Sequence, residues 1–526
     1  MKKRLIALII ASILIFQSAV FVTAQEVKNN KEDSVFTLLA ALSILKGDGN
    51  GNYRQNELLT REEYAALILR LTALDSMVDA YNEKETCFKD VPATHWSFPY
   101  IGVAKQVEII DGISADYFGV GNNVKLNEAV KILVSALGYK KAAEDKGGYP
   151  SGYINMALKL GLLKNIESNE YLTRGEACQL LYNSFSVNIN NEITGVEEGR
   201  TVLNTYLGFS VEEGVLEETY HYQSEQQLLK DYVKISGNIY YAPLVQADEY
   251  LGCNIKYYIK KIDSQQTVYF ISAIGQSKDL TVYDEAIMPD TSLTSFRYSS
   301  QDNKVMSASL SDKLKIYKNG LLIKRENAVS SDLIPESGVV TLKDVDRNGA
   351  YDIAIVNEYK NSIVSYISED TIYCKYSEKI ELEDSLDDVE CYKNGMKIGF
   401  SELRNGDVIS VSQSADKSRI IIYASEEYLV GSIIEKDESD ADRILYTISD
   451  DEGARTTLSV AANYKKAMQE KKQGIVNLKI NSNQICRFYL DAFGRIGDVL
   501  IEQKSSSVNL RLPIKQSDGS LLTPFQ

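Results

Sequence analysis

The sequence predicts a multidomain chain: an all-α first third built from repeats, then a mainly-β remainder of small barrels or sandwiches. Three observations carry this. Apolar residues recur at helical spacing as far as about Phe185. The stretch Leu59-Thr60-Arg61-Glu62-Glu63-Tyr64 returns as Leu172-Thr173-Arg174-Gly175-Glu176. After about Asn190 the spacing changes to alternation, and Tyr, Val and Ile become frequent. At 526 residues the chain is long enough for several domains.

The N-terminus reads as a secretory leader over Met1–Ala24. Lys2, Lys3 and Arg4 are its basic start, Leu5 to Phe16 its apolar run, and Val22-Thr23-Ala24 offers small residues before a cut at Gln25. The apolar run is short for a membrane span, and no later stretch is long and apolar enough for one. The expectation is an exported protein with no membrane span after cleavage, held at the surface by a binding module. Its formal charge of −16 would become −19 on loss of the three basic leader residues, which argues against nucleic acid as a partner. An anionic ligand would then have to be caught by local basic groups. Six scattered cysteines do not make a disulfide scaffold; Cys374 and Cys391 are the closest pair in sequence. Two histidines, His95 and His221, leave little room for His-based catalysis.

The helical third divides into units of about 33–80, 85–140 and 146–188, each a helix, a Gly-rich loop and a second helix. In the first, Val35 to Leu45 is helical, Gly47-Asp48-Gly49-Asn50-Gly51 breaks the pattern, and a helix follows Thr60. The second opens on Phe88-Lys89-Asp90-Val91-Pro92 and His95-Trp96-Ser97, and its later helix starts at Lys125-Leu126-Asn127-Glu128. The third runs from Gly152-Tyr153-Ile154 to the second Thr-Arg helix. Thr60 and Thr173 are N-caps, and Glu63 and Glu176, three residues on, close capping boxes. Capping does not need Arg61 or Arg174, and a first-turn arginine slightly opposes the helix dipole. A unit of this size cannot bury its apolar face alone, so the three should pack together.

Phe88-x-Asp90-Val91-Pro92-x-x-His95-Trp96, the Gly-rich loops and Leu-Thr-Arg-x-Glu together resemble S-layer homology repeats, in three copies from about Val35 to Phe185. The resemblance implies a pseudo-threefold helical spindle that anchors an exported protein to secondary cell-wall polysaccharide of the Gram-positive type, often pyruvylated. It implies that Arg61 and Arg174 grip the ketal carboxylate, as a planar guanidinium fork suits a carboxylate. Trp96 would face a sugar ring or frame the groove, and Asp90 would contact sugar or orient a helix start. The second unit departs from the pattern: Lys125 and Leu126 replace the cap threonine and the arginine, so at most two of three grooves should be fully equipped.

Beyond Asn190 the sequence divides into β-rich stretches of about 189–275, 276–365 and 366–526, the last one or two domains. Its 34 Tyr against 14 Phe suit strands with one wet face. Candidate strands are Tyr232–Ile235, Ile239–Tyr241, Asn254–Ile262, Val268–Ala273, Lys315–Tyr317, Leu321–Lys324, Val339–Leu342, Ile353–Val356, Val389–Tyr392, Val408–Ser412, Ile420–Tyr423 and Val430–Glu435. Asn319-Gly320, Asn394-Gly395 and Asn405-Gly406 read as hairpin turns. Ile316-Tyr317-Lys318-Asn319-Gly320 also matches Cys391-Tyr392-Lys393-Asn394-Gly395.

One stretch carries metal chemistry. Asp344, Asp346, Asn348 and Asp352 place oxygen ligands around Gly349, as in the first part of a calcium loop, and resemble the Asp-rich loops of dockerin-like and β-propeller surface repeats. Ile355 stands where an EF-hand has its final Glu, and an Asx-rich hairpin is the alternative reading. Calcium is the one cofactor the sequence admits. No nucleophile elbow, zinc-binding helix or phosphate loop is present, so the expectation is not an enzyme. The chain is expected to be a wall-anchored surface protein, able to self-assemble into a surface layer. A wall-anchored enzyme on polysaccharide, or an adhesin, is the alternative.

Overall fold

The computed structural model describes residues 23–25, 31–46, 52–83, 88–167, 170–191, 193–224, 228–275, 277–300, 304–368, 370–375, 378–382, 389–393, 396–414, 419–438, 444–472, 475–476, 478–481 and 483–502. The leader up to residue 22, the break 47–51, Cys87, the turn Asn394-Gly395 and the C-terminal stretch 521–526 lie outside them. Among the described residues no helix is long and apolar enough to cross a membrane. Cys178, Cys391 and Cys486 are free thiols. The chain forms two compact units, one of residues 26–278 with the hairpin tip 345–348, the other of the strand Thr23–Gln25 with residues 279–344 and those from 349 on.

Among the described residues the first unit begins with eight helices: α1 Lys31–Ala41, α2 Arg61–Leu71, α3 Asp75–Asp79, α4 Phe98–Gln106, α5 Leu126–Ala136, α6 Lys140–Glu144, α7 Ser151–Lys159 and α8 Arg174–Ser184. The caps form as the sequence requires. Thr60 and Thr173 accept the N–H groups of Glu63 and Glu176, whose carboxylates accept the cap N–H groups in return. Lys125 has no side-chain acceptor, so α5 keeps only the half in which Glu128 accepts the Lys125 N–H, at 3.1 Å.

The helices pair in rotation: α2 packs on α4, α5 on α7 and α8 on α1. The second helix of each repeat thus meets the first helix of the next. A ring of backbone hydrogen bonds joins the three entries. Leu59 N–H donates to Leu172 O (3.0 Å), Leu172 N–H to Val124 O (3.1 Å) and Val124 N–H to Leu59 O (2.9 Å). All three side chains are buried, so these bonds are shielded from water and each residue adds about 1.5–3 kcal/mol of apolar burial.

A five-stranded closed barrel completes this unit: β1 Phe209–Thr219, β2 Tyr232–Ile235, β3 Asn238–Tyr241, β4 Asn254–Ile262 and β5 Gln265–Ala273, in the order β1-β2-β3-β5-β4. Ser236-Gly237 and Asp263-Ser264 are two-residue turns with positive φ at both positions, which matches the twist of a tight hairpin. Strand β1 escaped the sequence reading because only its two ends and Leu216 are buried and its acidic residues mask the alternation.

Among the described residues the second unit contains three sheets. In the first, β6 Lys278–Tyr283, β7 Ser295–Ser299, β8 Val305–Lys318, β9 Leu321–Ile323, β10 Gly338–Asp344 and β11 Ala350–Glu358 join Thr23–Gln25, in the order Thr23–Gln25, β6, β10, β11, β8, β7, with β9 on β8. In the second, β12 Lys360–Ile367, β13 Thr371–Lys375, β14 Ile380–Glu381, β15 Val389–Lys393, β16 Met396–Ile398, β17 Val408–Gln413 and β18 Ile420–Ser425 run β14-β13-β12-β17-β18-β15-β16. The third comprises β19 Tyr428–Asp437, β20 Leu445–Ser449, β21 Arg455–Ser459, β22 Cys486–Leu490 and β23 Ile496–Ile501, in the order β21-β20-β19-β22-β23. Strand β12 runs across position 365, where the sequence suggested a boundary. The helix Ala462–Gln469 lies within a stretch read as wholly β.

The short sequence match marks a larger internal duplication. In both copies a strand and a short strand antiparallel to it are followed by a 3-10 turn and an antiparallel pair. Strand β8 then lies parallel to β11, as β15 does to β18. The strand order β10-β11-β8-β9 is repeated as β17-β18-β15-β16. Asn319 and Gly320 both have positive φ, as a type I′ turn needs.

Candidate functional site: the faces between the repeats

The two repeated arginines are inter-repeat links. Arg61 is 5% exposed. Its Nε donates to Phe118 O (3.1 Å), its Nη2 to Asp111 O (3.1 Å), and its Nη1 pairs with Glu128 of α5 at 2.9 Å. The guanidinium also lies 5.0 Å from the centre of the Phe118 ring. Arg174 repeats this one step round the ring: Nε donates to Tyr53 O (3.0 Å) and Nη1 to Glu63 of α2 (2.9 Å). Each arginine therefore spans the loop and the capping glutamate of the next repeat. Leu126, at the third position, makes the equivalent backbone bond, N–H to Glu170 O at 2.8 Å, without a side-chain fork.

Asp90 organises the Gly-rich loop of the second repeat. Its carboxylate accepts the N–H groups of Phe118 (2.8 Å), Gly119 (2.6 Å) and Val120 (3.1 Å). Burial alone would raise its pKa, but these backbone donors outweigh that and hold it below the usual carboxylate value. Glu62 takes the next N–H, of Gly121, at 3.1 Å to each oxygen. Gly119 and Gly121 have φ of +91° and +80°, where a side chain would be strained.

Trp96 is 50% exposed. Its ring centre lies 5.9 Å from His95 and 5.9 Å from Tyr100, one helical turn on. His95 is held by Ser97, whose Oγ is 2.7 Å from Nδ1. Arg70, in the last turn of α2, lies 5.4 Å from the centre of the Tyr100 ring, and its Nη2 donates to the Tyr100 hydroxyl at 3.3 Å. The Arg70 Nε is buried with no hydrogen-bond partner. Arg70, Tyr100 and Trp96 thus form one cationic and aromatic surface between the first and second repeats. The sequence reading missed Arg70 and Tyr100. The available signals were a basic residue inside the apolar run Leu69-Arg70-Leu71 and an aromatic four residues after Trp96.

Far along the chain, the β10–β11 hairpin brings together three of the four calcium candidates. A carboxylate oxygen of each of Asp344, Asp346 and Asp352 lies within 4.8 Å of the others. Asn348 instead donates its backbone and side-chain N–H groups to Asp346, at 3.1 and 2.9 Å.

Comparison with known proteins agrees with the N-terminal geometry. The S-layer homology domain family matches residues 29–65 and 88–130. The "Middle cell wall protein" of Brevibacillus brevis is 31% identical over 206 residues, covering 37% of this chain and 19% of that protein. The "Cell surface protein" of Thermoanaerobacter kivui is 24% identical over 473 residues, covering 85% of this chain and 58% of that protein. A shorter likeness, 26% over 185 residues, joins 31% of this chain to 16% of "Exoglucanase XynX" of Acetivibrio thermocellus. The chain thus spans less than two thirds of each relative. Two repeats matched at family level, together with the cell-wall and surface-protein relatives, give one conclusion: the chain is an S-layer-homology-containing surface protein.

Proposed function

We propose that the three repeats form a pseudo-threefold spindle that holds the protein non-covalently to a secondary polysaccharide of a Gram-positive-type cell wall. The hydrogen-bond ring through Leu59, Val124 and Leu172 and the rotating helix pairs support the spindle. The observation that carries the binding role is the Arg70–Tyr100–Trp96 surface. A half-exposed indole offers an apolar face to a sugar ring. The Arg70 guanidinium, against the Tyr100 ring that Trp96 also flanks, offers a charge-assisted partner for a ring carboxylate, such as a pyruvyl ketal. In a strongly acidic chain such a local cation is what an anionic glycan needs.

Arg61 and Arg174 then act one step removed from the sugar. Their guanidinium groups already face Glu128 and Glu63, so a ligand carboxylate would have to displace a protein carboxylate at close range. They hold the loops that shape the grooves, as Asp90 does. The β-rich domains are the displayed part, a structural surface component that can assemble into a layer. The relatives' printed names as cell-wall and surface proteins support a non-enzymatic role.

The test is co-sedimentation of the full chain with purified wall sacculi bearing a pyruvylated polysaccharide. Trp96→Ala and Arg70→Gln should each lower the bound fraction about ten-fold or more, the value of one stacking or charge-assisted contact, with unchanged circular dichroism. Sacculi stripped of the polysaccharide should bind none of the proteins. Equal binding by wild type and the double variant would remove this surface from the function.

A further inference from the structure

We infer that the β10–β11 hairpin is a calcium site, built by Asp344, Asp346 and Asp352 and independent of wall binding. The three carboxylates come from nine consecutive residues, and an oxygen of each lies within 4.8 Å of the other two. Three negative charges so close repel one another unless a cation sits among them.

The second, independent observation is Asp344 itself. It is 2% exposed. Its Oδ2 accepts the Gly349 N–H at 3.0 Å, while its Oδ1 is buried with no hydrogen-bond partner. A buried carboxylate oxygen without a partner is costly, and a bound cation removes that cost. The neighbouring cation is otherwise committed: Lys343 pairs with Asp279 at 2.9 Å.

The backbone is built to bring the three together. Arg347 and Gly349 both have positive φ, +58° and +94°, and fold the chain sharply between the strands. The Asn348 N–H groups hold the Asp346 carboxylate in place. An all-oxygen donor set excludes the thiolate and imidazole preferences of zinc and copper and suits a hard cation. Three carboxylates fill part of a six- to eight-oxygen shell, leaving backbone or water to complete it, as suits the roughly 10⁻⁴–10⁻³ M affinities of extracellular calcium modules. The second copy of the duplicated unit reads Ser414-Ala415-Asp416-Lys417-Ser418 between β17 and β18, without this carboxylate set. The site is therefore a property of one copy alone.

Asp344→Asn keeps an oxygen for the Gly349 N–H and removes the charge. In the full chain, about 5 mM calcium should raise the melting temperature of the wild-type β-rich unit by about 2–4 °C over chelator. Asp344→Asn should show no calcium shift, and in chelator it should melt at or above wild type, because an unpaired buried charge has gone. Terbium luminescence, sensitised through Tyr351 next to Asp352, reads occupancy directly and should be lost in Asp344→Asn and Asp352→Asn. A wild-type melting temperature identical in calcium and chelator, together with no terbium signal, overturns the site. So does a calcium shift that survives Asp344→Asn.

Discussion

The repeat region and the β-rich unit both bury arginines, in opposite ways. Arg61 and Arg174 each face one glutamate whose side chain is 24% or 29% exposed. Their remaining bonds go to carbonyls of the adjoining loop. Arg495 in the β-rich unit has no such outlet. Its Nε donates to Asp491 (2.9 Å), its Nη1 reaches Asp284 (3.3 Å) and its Nη2 donates to Ser337 (2.9 Å). Asn361 donates to the same Asp491 oxygen at 2.7 Å. This node ties β12 and β22–β23 to the segments that follow β6 and precede β10. The repeats use charge to join like to like at a rim where water helps; the sheets use it to lock unlike segments in the interior. A buried charge tolerates loss of its partner far less than a rim charge does.

That contrast sets the largest expected effect. Arg495→Ala leaves Asp491 and Asp284 buried without a cation and should cost the β-rich unit about 3–5 kcal/mol. Arg61→Ala should cost the repeat region about 1.5–3 kcal/mol, because Glu128 can be rehydrated. Denaturant unfolding of each variant measures both, and an Arg61→Ala loss as large as that of Arg495→Ala would erase the distinction.

The pH response should separate the regions next, with opposite signs. Burial pushes Asp284 up to about 6 from 3.8, against the opposing pull of Arg495. A raised carboxyl contributes stability that is complete below 3.8 and is lost as the pH rises through about 6, a window worth about 3 kcal/mol. Asp90 is held below its ordinary value, so its contribution is present above 3.8 and is lost as the pH falls through its lowered folded value. On acidification from neutral, the β-rich unit should first gain melting temperature while the repeat region holds steady, and only stronger acid should loosen the repeats. Asp284→Asn should remove the gain; its persistence would assign the effect to other groups.

The smallest effect concerns the caps. Thr60→Ala should destabilise the repeat region by about 1 kcal/mol, and Lys125→Thr should stabilise it by about 0.5–1 kcal/mol by supplying the hydroxyl that the α5 entry lacks. Thermal melts of the two variants should move in opposite directions. A Lys125→Thr loss would mean that its 3.7 Å pairing with Glu170 and its contact with Tyr171 outweigh a cap.

Much of the architecture was legible because its signals are local. Capping boxes, Asn319-Gly320 and the Asp344–Asp352 spacing depend on residues within one or two turns of each other. Strands β1 and β12 escaped for the converse reason: their burial comes from partners that no local pattern names. The added strands of the duplicated unit lie beyond the five-residue match that announced it.

The site divides along the same line. The sequence alone determined that two Thr-Arg helices and one degenerate copy exist, that Asp90 opens a repeat and that acidic oxygens cluster around Gly349. Only the tertiary structure decided what each does. Arg61 meets Glu128, Arg174 meets Glu63, and Asp90 meets the loop of Phe118 to Val120, because successive repeats are turned about a common ring of hydrogen bonds. The same turn brings Arg70 against Tyr100 and leaves Trp96 exposed. A cap acts across three residues of one helix, and the sequence contains all of it; a guanidinium's partner depends on which helix crosses its end, and only the closed packing of the repeats specifies that.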